Sequence, residues 1–360
     1  MEAKEKLEKI LNITSQLITI REPDIIMSKI SLLSKEIFDA DLCHLFLYDK
    51  INNNLWTIGK DNNNDIIIPC EDNIESEVLH NKSPIFIPRT NTRHPIVDSI
   101  TEQNLTSLMS MPLIDSYKDV IGVLHIGKTN GKLPFDRDDL DLLGHLAIFV
   151  SKAFENIDLH LKLRQSQRDI VYRLSYAMSF KDPETEDHIV RVGMYCSIIA
   201  REMGFDSEVI ETIMLAAPMH DIGKVGIPDR ILLKPAKLNT GEWELMKLHS
   251  LFGFNILKES DSNLLKMAAI IALEHHEKWD GSGYPEGKKA EEISIYGRIA
   301  AIADVFDALT SDRPYKNAWP IDNTIDFIKE KEGIFFDPKV YEIFMANIEE
   351  IIQIRRELSI

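Results

Sequence analysis

The chain has few cysteines and no long apolar run, and both absences limit what kind of protein it can be. Its three cysteines, Cys43, Cys70 and Cys196, are odd in number and form no CxxC pair. This argues against a disulfide framework and fits a reducing compartment. No apolar stretch approaches the ~20 residues that a membrane-spanning helix needs. The first residues, Met1–Lys6, open a charged amphipathic stretch rather than an apolar signal region, so we expect a cytoplasmic protein.

Negatively charged residues outnumber positively charged ones, and the formal net charge is -17. Such acidity argues against non-specific binding to nucleic acid or to an anionic membrane. It does not exclude an anionic substrate, since bound metal cations can reverse the sign of the local field. The hydrophobic fraction of 44% is ordinary for a folded protein, and 360 residues favour two domains over one.

Helical and strand-like segments alternate irregularly in the first 156 residues. Apolar residues at helical spacing predict an amphipathic helix over residues 1–22, which packs either on its own domain or on a second copy. Residues 23–156 begin with another helical stripe and continue with strand-like stretches. These stretches are Leu42–Tyr48, Leu55–Ile58, Ser107–Leu113 and Val120–Gly127. Strands flanked by helices, without regular βαβ alternation, predict an α+β domain around an antiparallel sheet.

Residues 23–156 resemble a GAF domain, a sensor module. The resemblance rests on Asp41–Asp49, Met111–Ile114, Ile121–Ile126 and Phe135 followed by Asp138–Leu143. It implies a regulatory role for this half of the chain. Because the motifs are largely apolar, they leave the GAF ligand unknown: a cyclic nucleotide, a small metabolite or none at all.

The absence of glycine and proline between Gly144 and Pro183 permits one long helix. We assign residues 157–180 to a helix that connects the two domains. Apolar residues in three- and four-residue steps predict a stripe over Leu143–Leu161 and again over Ile170–Met178. Such a stripe suits pairing with a second copy of the helix in a homodimer, or burial of the helix on its own domains.

The second half of the chain, residues 170–360, carries almost no strand signal and holds the residues that indicate chemistry. Five histidines each stand beside a carboxylate or in a cluster, and Asp304 lies in an apolar run where a carboxylate needs a partner such as a metal. The candidate metal ligands are Glu184, His188, His220, Asp221, His249, His275, His276 and Asp304. Imidazole together with carboxylate suits Fe, Mn, Zn or Co rather than Ca or Mg.

Four blocks in this half resemble the motifs of the HD-GYP subfamily of HD phosphohydrolases. One contains the His220-Asp221 pair of the superfamily, and another contains the Gly283-Tyr284-Pro285 triplet of the subfamily. The blocks are Asp182–His188, Met219–Lys224, His275–Gly287, and Ala303–Thr310 with Arg313–Lys316. The resemblance implies an all-α catalytic domain that hydrolyses cyclic di-GMP to pGpG, and in some members onward to GMP.

The resemblance also implies roles for individual residues at a metal centre. It gives two or three ions, with three favoured because a glutamate at the position of Glu184 accompanies a third ion in the family. Iron is the favoured metal, and manganese is the alternative. Asp221 would bridge two ions. Lys224 would stabilise the phosphate or protonate the leaving oxygen.

Three further residues are candidates for binding the substrate. Arg313 and Lys316 lie three residues apart, and their guanidinium and ammonium groups suit phosphate oxygens. Tyr284 would stack on guanine or hydrogen-bond to the ligand, unless its loop is only a rigid turn. We assign Trp243 to packing.

Three other functions compete with this hydrolase. A non-enzymatic receptor for cyclic di-GMP usually lacks metal ligands, and none is missing here. A di-iron oxygenase of the HD fold lacks the Gly-Tyr-Pro block, which is intact here. A hydrolase of another cyclic dinucleotide would share every motif, so only rates on different substrates separate it from the first function.

Overall fold

The computed structural model describes residues 3–17, 20, 22–58, 65–71, 73–89, 105–129, 131–179, 181, 186–312 and 317–358. Contacts divide the chain into two compact units, Met1–Arg164 and Gln165–Ile360.

The first unit is built on one antiparallel sheet. Its helices and strands are α1 (Ala3–Leu17), α2 (Pro23–Phe38), β1 (Leu42–Asp49), β2 (Asn54–Ile58), β3 (Asp65–Pro69), α3 (Ile74–Asn81), β4 (Ile85–Ile87), β5 (Leu105–Ile114), β6 (Val120–Thr129) and the start of α4 (Arg137–Ser179). The strand order is β3-β2-β1-β6-β5-β4, and every neighbouring pair is antiparallel. The predicted α+β architecture is therefore confirmed. The sequence analysis missed β3 and β4. Strand β4 has only three residues, and β3 has the apolar Ile67 at an exposed position, so neither strand shows a clear alternation of apolar and polar residues.

Helix α4 contributes to the core of the first unit through the residues that the sequence suggested for pairing. Leu143, Leu146, Val150, Ala153 and Ile157 are all at most 5% exposed and belong to the cluster that also holds residues of α2 and the sheet. This part of the predicted stripe is thus buried on its own domain, which corrects the homodimer interpretation for these residues. Burial against the sheet satisfies the apolar face without a second chain.

The second unit is helical. Its elements after the end of α4 are α5 (Glu186–Glu202), α6 (Ser207–Ala216), the 3₁₀ turns Ala217–Met219 and Ile222–Gly226, α7 (Asp229–Leu232), α8 (Thr240–Leu257), α9 (Asn263–Glu274), the 3₁₀ turn Ala290–Glu292, α10 (Ile295–Thr310), α11 (Ile321–Glu330), α12 (Pro338–Ala346) and α13 (Ile348–Glu357). Among the described residues of this unit no strand is found, as the sequence predicts. None of the described helices has the length and apolar character for crossing a bilayer.

A close backbone approach fixes the turn Ile222–Gly226 against α8. A Cβ atom at Gly223 would lie 1.9 Å from the carbonyl oxygen of His249 and 2.3 Å from the backbone nitrogen of Gly253. Only glycine fits at such a contact. The approach brings Asp221 and Lys224, at the start of this turn, beside His249 on α8.

Candidate metal centre

Seven of the eight predicted ligands lie together in the second unit, in two groups. Within each group, one ligand atom from every residue lies within 4.8 Å of the others. The first group consists of Asp221, His249, His275 and His276, and the second consists of His188, His220 and Asp304. The seven ligands come from α5, α8, α10 and the turns after α6 and α9, so the centre exists only when these helices pack.

The carboxylate of Asp221 faces both groups. Its Oδ1 lies 3.3 Å from Nε2 of His249 and 3.7 Å from Nε2 of His275. Its Oδ2 lies 3.2 Å from Nε2 of His220 and 2.6 Å from Nζ of Lys224. Asp304 joins the second group in the same way, with Oδ1 at 3.7 Å from Nε2 of both His188 and His220. One aspartate can thus offer an oxygen to each of two ions.

The imidazoles are oriented by hydrogen bonds on their outer nitrogen. Nδ1 of His220, His249 and His275 lies 3.0, 2.7 and 3.0 Å from a backbone carbonyl oxygen three or four residues earlier. A carbonyl can only accept, so Nδ1 carries the proton and donates, and Nε2 presents its lone pair toward the centre. Metal-binding histidines are held in this way in general. The residues therefore fit a metal site.

The protonation states also fit metal binding. Burial lowers the pKa of His249 to about 4, and burial with the neighbouring His275 lowers that of His276 well below its usual range. Both rings are neutral near pH 7, which is the form that binds a cation. Burial raises the pKa of Asp221, but Lys224 and His220 outweigh it, so the net pKa lies well below its ordinary value and the carboxylate is ionised. Five imidazoles and two carboxylates suit iron, manganese, zinc or cobalt.

A buried carboxylate that the motif analysis left without a role positions His188. Oδ2 of Asp307, which is 0% exposed, lies 2.8 Å from Nδ1 of His188. Arg191 donates from Nε to Oδ1 of Asp307 at 2.6 Å and from Nη2 to Oδ2 at 2.9 Å, while its Nη1 reaches the carbonyl oxygen of Leu358 at 2.8 Å. Burial raises the pKa of Asp307, but Arg191 and His188 lower it further, so Asp307 stays ionised. The pair fixes the direction of the His188 ring.

Two buried glutamates hold the loop that contains the Gly-Tyr-Pro triplet. Oε1 of Glu277 accepts the backbone N–H groups of residues 286 and 287 at 2.7 and 3.1 Å. Glu274 accepts from Nζ of Lys288 at 2.6 Å and from the backbone N–H of Ser294 at 2.7 Å. The loop is therefore anchored at both ends next to His275 and His276, rather than only turned by its glycines.

Tyr284 forms part of the wall of the centre. Its ring centroid lies 4.7 Å from that of His276 and 6.3 Å from that of His249, and its backbone N–H donates to the carbonyl oxygen of His276 at 3.2 Å. The ring of Trp243 also contacts Tyr284, with the two ring centroids 6.0 Å apart. Trp243 is 45% exposed, so it packs against Tyr284 but is not a core residue.

Three predicted site residues, Glu184, Arg313 and Lys316, lie outside the described residues. Their roles as a metal ligand and as phosphate-binding residues remain predictions from the sequence.

Comparisons with known families give two matches. Residues 171–340 match the family model described as an HD domain, and residues 22–156 match the model described as a GAF domain. The chain therefore carries a GAF domain followed by an HD domain, and the Gly-Tyr-Pro motif places the HD domain in the HD-GYP type.

The curated relatives are bacterial phosphodiesterases. The 3'3'-cGAMP-specific phosphodiesterase 2 of Vibrio cholerae is 39% identical over 67% of this chain and 46% of its own length. A cyclic di-GMP phosphodiesterase of Thermotoga maritima is 47% identical over 52% of this chain and 51% of its own length. A cyclic di-GMP phosphodiesterase response regulator of Xanthomonas campestris is 38% identical over 55% and 52%. The chain spans about half the length of these relatives.

Replacing Asp307 with Asn tests whether this carboxylate positions a ligand. The amide loses the ionic bonds to His188 and Arg191, and changes of this kind cost about 10–100-fold in metal affinity. We expect that loss when metal-stripped protein is titrated anaerobically with Fe²⁺ or Mn²⁺ and binding is followed by calorimetry. Arg191 also loses its partner, so stability falls by ~3–5 kcal/mol, and the affinity is measured on the folded fraction isolated by gel filtration.

The matched control is Asp326→Asn, which changes an exposed aspartate on α11. It should leave the titration unchanged. Full metal affinity in folded Asp307→Asn protein would contradict a positioning role.

Proposed function

We propose that this chain, a GAF domain followed by an HD domain of the HD-GYP type, hydrolyses the 3',5'-phosphodiester bonds of cyclic di-GMP. The product would be pGpG or, by a second cleavage, GMP. The observation that carries the proposal is the carboxylate of Asp221, which faces two imidazole groups and has Nζ of Lys224 at 2.6 Å. The names of the Thermotoga and Xanthomonas relatives support the substrate.

The chemistry divides between bound metal and the protein's own residues. When bound, the metal supplies a water of lowered pKa and positive charge for the phosphate oxygens. Lys224, with a side chain 13% exposed, places a cation at the edge of the centre, where it stabilises developing negative charge or gives a proton to the leaving oxygen. Arg313 and Lys316 would hold the phosphates, and Tyr284 would contact a base.

We propose three metal ions per chain, with iron as the metal and manganese as the alternative. Seven ligands in two groups support at least two ions, because a single ion takes about three or four protein ligands. Glu184 is the additional ligand that the sequence provides for a third.

Glu184→Ala should therefore lose one ion per chain and keep the others, because only the third ion depends on this carboxylate. Elemental analysis of anaerobically purified protein measures the count. Glu259→Ala, at an exposed position after α8, is the control and should keep all the metal. Two or fewer ions per chain in the fully active unchanged protein would contradict the proposal.

Substitutions at Asp221 and Lys224 should differ sharply in their effect on cyclic di-GMP turnover. Asp221→Ala removes the group that faces both ligand sets and should abolish hydrolysis along with metal loading. Lys224→Ala removes one charge and should lower kcat by about 10²–10³-fold with metal retained, as for the loss of a single transition-state contact. Lys266→Ala, an exposed lysine on α9, should change neither. Equal and modest losses from Asp221→Ala and Lys224→Ala would refute these assignments.

A second candidate is hydrolysis of 3'3'-cGAMP, which the name of the Vibrio cholerae relative favours. The metal centre would be the same, because both substrates share the phosphodiester ring and differ in one base. Initial rates on cyclic di-GMP and 3'3'-cGAMP decide between them. Binding of cyclic di-GMP without turnover by metal-loaded protein would instead indicate a receptor.

We also propose a homodimer formed through α4, on a face that includes Ile170 and Leu174 of the second part of the stripe and not on the buried face of Leu143–Ile157. Leu159, Leu163, Ile170 and Leu174 are 52–56% exposed and follow one another in steps of four, seven and four residues. Such spacing places them along one side of a helix, where a second copy of the helix would cover them. The GAF domain would act on the hydrolase through this paired helix.

Leu163→Asp should convert the dimer to a monomer at micromolar concentration in light scattering, because a charge in a paired apolar seam is costly. The control is Leu161→Asp, which is the same change on the same helix about 160° away, at 3.6 residues per turn. Leu161 is 60% exposed. If the unchanged protein is a monomer, the dimer proposal is refuted. If Leu161→Asp dissociates the dimer and Leu163→Asp does not, the dimer contact lies on the face of Leu161 and not on the proposed face.

A further inference from the structure

The metal centre is flanked by an aromatic corner made by Trp243 and Tyr284, with Lys247 beside it. We infer that this corner binds one purine base of the substrate and that Lys247 selects guanine there. The inference rests on the proposed hydrolysis of a cyclic dinucleotide. It adds two residues, Trp243 and Lys247, that no motif of the chain singled out for substrate.

The corner lies at the distance from the centre that a base requires. Trp243, Lys247 and the ligand His249 all belong to α8, and His249 follows Trp243 by six positions. At 1.5 Å per residue this is about 9 Å along the helix axis. A nucleotide whose phosphate sits at the ligands extends its base over a distance of this order. Tyr284 connects the two positions, since its ring lies 4.7 Å from His276 and 6.0 Å from Trp243.

The geometry of the two rings suits a flat aromatic guest. Their planes meet at 81°, so a base that stacks on one ring presents its edge to the other. Stacking on one ring and edge-to-face contact with the other are both favourable between aromatic groups. Trp243 is 45% exposed, although a tryptophan that only fills space is normally covered. Its free surface is therefore available for stacking.

Lys247 adds a hydrogen-bond donor to this corner. Its Nζ lies 5.9 Å from the centroid of the Tyr284 ring and 2.7 Å from Oε1 of Glu244. The side chain of Glu244 is 62% exposed, and such a surface ion pair contributes little, so Lys247 can exchange it for a ligand. An ammonium group donates only.

Because the ammonium group of Lys247 can only donate hydrogen bonds, it distinguishes guanine from adenine. Guanine presents two acceptors, O6 and N7, on the edge where adenine presents the N6 amino group beside N7. Lys247 donates well to the guanine edge and meets a second donor on adenine. The corner therefore favours a substrate with at least one guanine, a condition that cyclic di-GMP and 3'3'-cGAMP meet and cyclic di-AMP does not.

Trp243→Ala should raise KM for cyclic di-GMP by about 5- to 150-fold, since stacking on an aromatic side chain contributes ~1–3 kcal/mol per base. The change in kcat should be smaller, and metal content should not change. Trp243→Phe keeps an aromatic face and should recover most of the affinity. A merely structural tryptophan would instead show reduced stability with an unaltered KM for the folded enzyme.

Lys247→Met should reduce the preference for cyclic di-GMP over cyclic di-AMP, measured as the ratio of kcat/KM values, by about tenfold. Lys258→Met is the matched control, because it removes the same charge from the exposed C-cap residue of the same helix. That control should leave the ratio unchanged. An unaltered ratio in Lys247→Met, or equal shifts in both variants, overturns the selection of guanine by Lys247.

The outcomes separate this inference from the proposed function. If the unchanged, metal-loaded enzyme hydrolyses no cyclic dinucleotide, both the proposed function and this inference are refuted. If the unchanged enzyme turns over cyclic di-GMP and Trp243→Ala has the same KM, only the aromatic corner is refuted.

Discussion

The carboxylate of Asp221 is the group on which the rest of the site depends. It is largely enclosed by imidazoles, with only 15% of its side chain exposed, and an anion so enclosed is costly unless cations or donors surround it. Lys224 provides one cation at 2.6 Å, and the imidazole nitrogens lie 3.2–3.7 Å away, a range that leaves room for ions between the ligands. Its two oxygens lie within 3.7 Å of ring nitrogens from both ligand groups, so its position sets the spacing between the two groups.

The surrounding helices hold that arrangement through backbone contacts and one ionic pair. Gly223 lets the turn after Asp221 approach α8, which carries His249. Backbone carbonyls fix three of the rings, and Asp307 with Arg191 fixes His188. Each of these four rings therefore offers one nitrogen inward without needing to reorganise when a cation binds, which reduces the cost of binding.

The sequence predicted the architecture and seven of the grouped ligands because their signals are local. Motif blocks contain six of the seven grouped residues, all except His249, and the segment without glycine or proline predicts α4. Asp307 lies within the block Ala303–Thr310, but its role had no local signal, because its partner Arg191 lies 116 residues away and only the packed helices bring them together. The apolar stripe on α4 was ambiguous for a related reason. Periodicity identifies an apolar face, but the packed structure decides that Leu143–Ile157 is covered by the chain's own sheet.

Anomalous diffraction from crystals of anaerobically prepared, iron-loaded protein tests the central claim most directly. We predict iron peaks on both sides of the Asp221 carboxylate, with each of its oxygens at about 2 Å from an ion. The imidazoles of His249 and His275 should coordinate one of these ions, and that of His220 the other. A single peak, or peaks that leave Asp221 outside the coordination of at least one ion, would contradict the account.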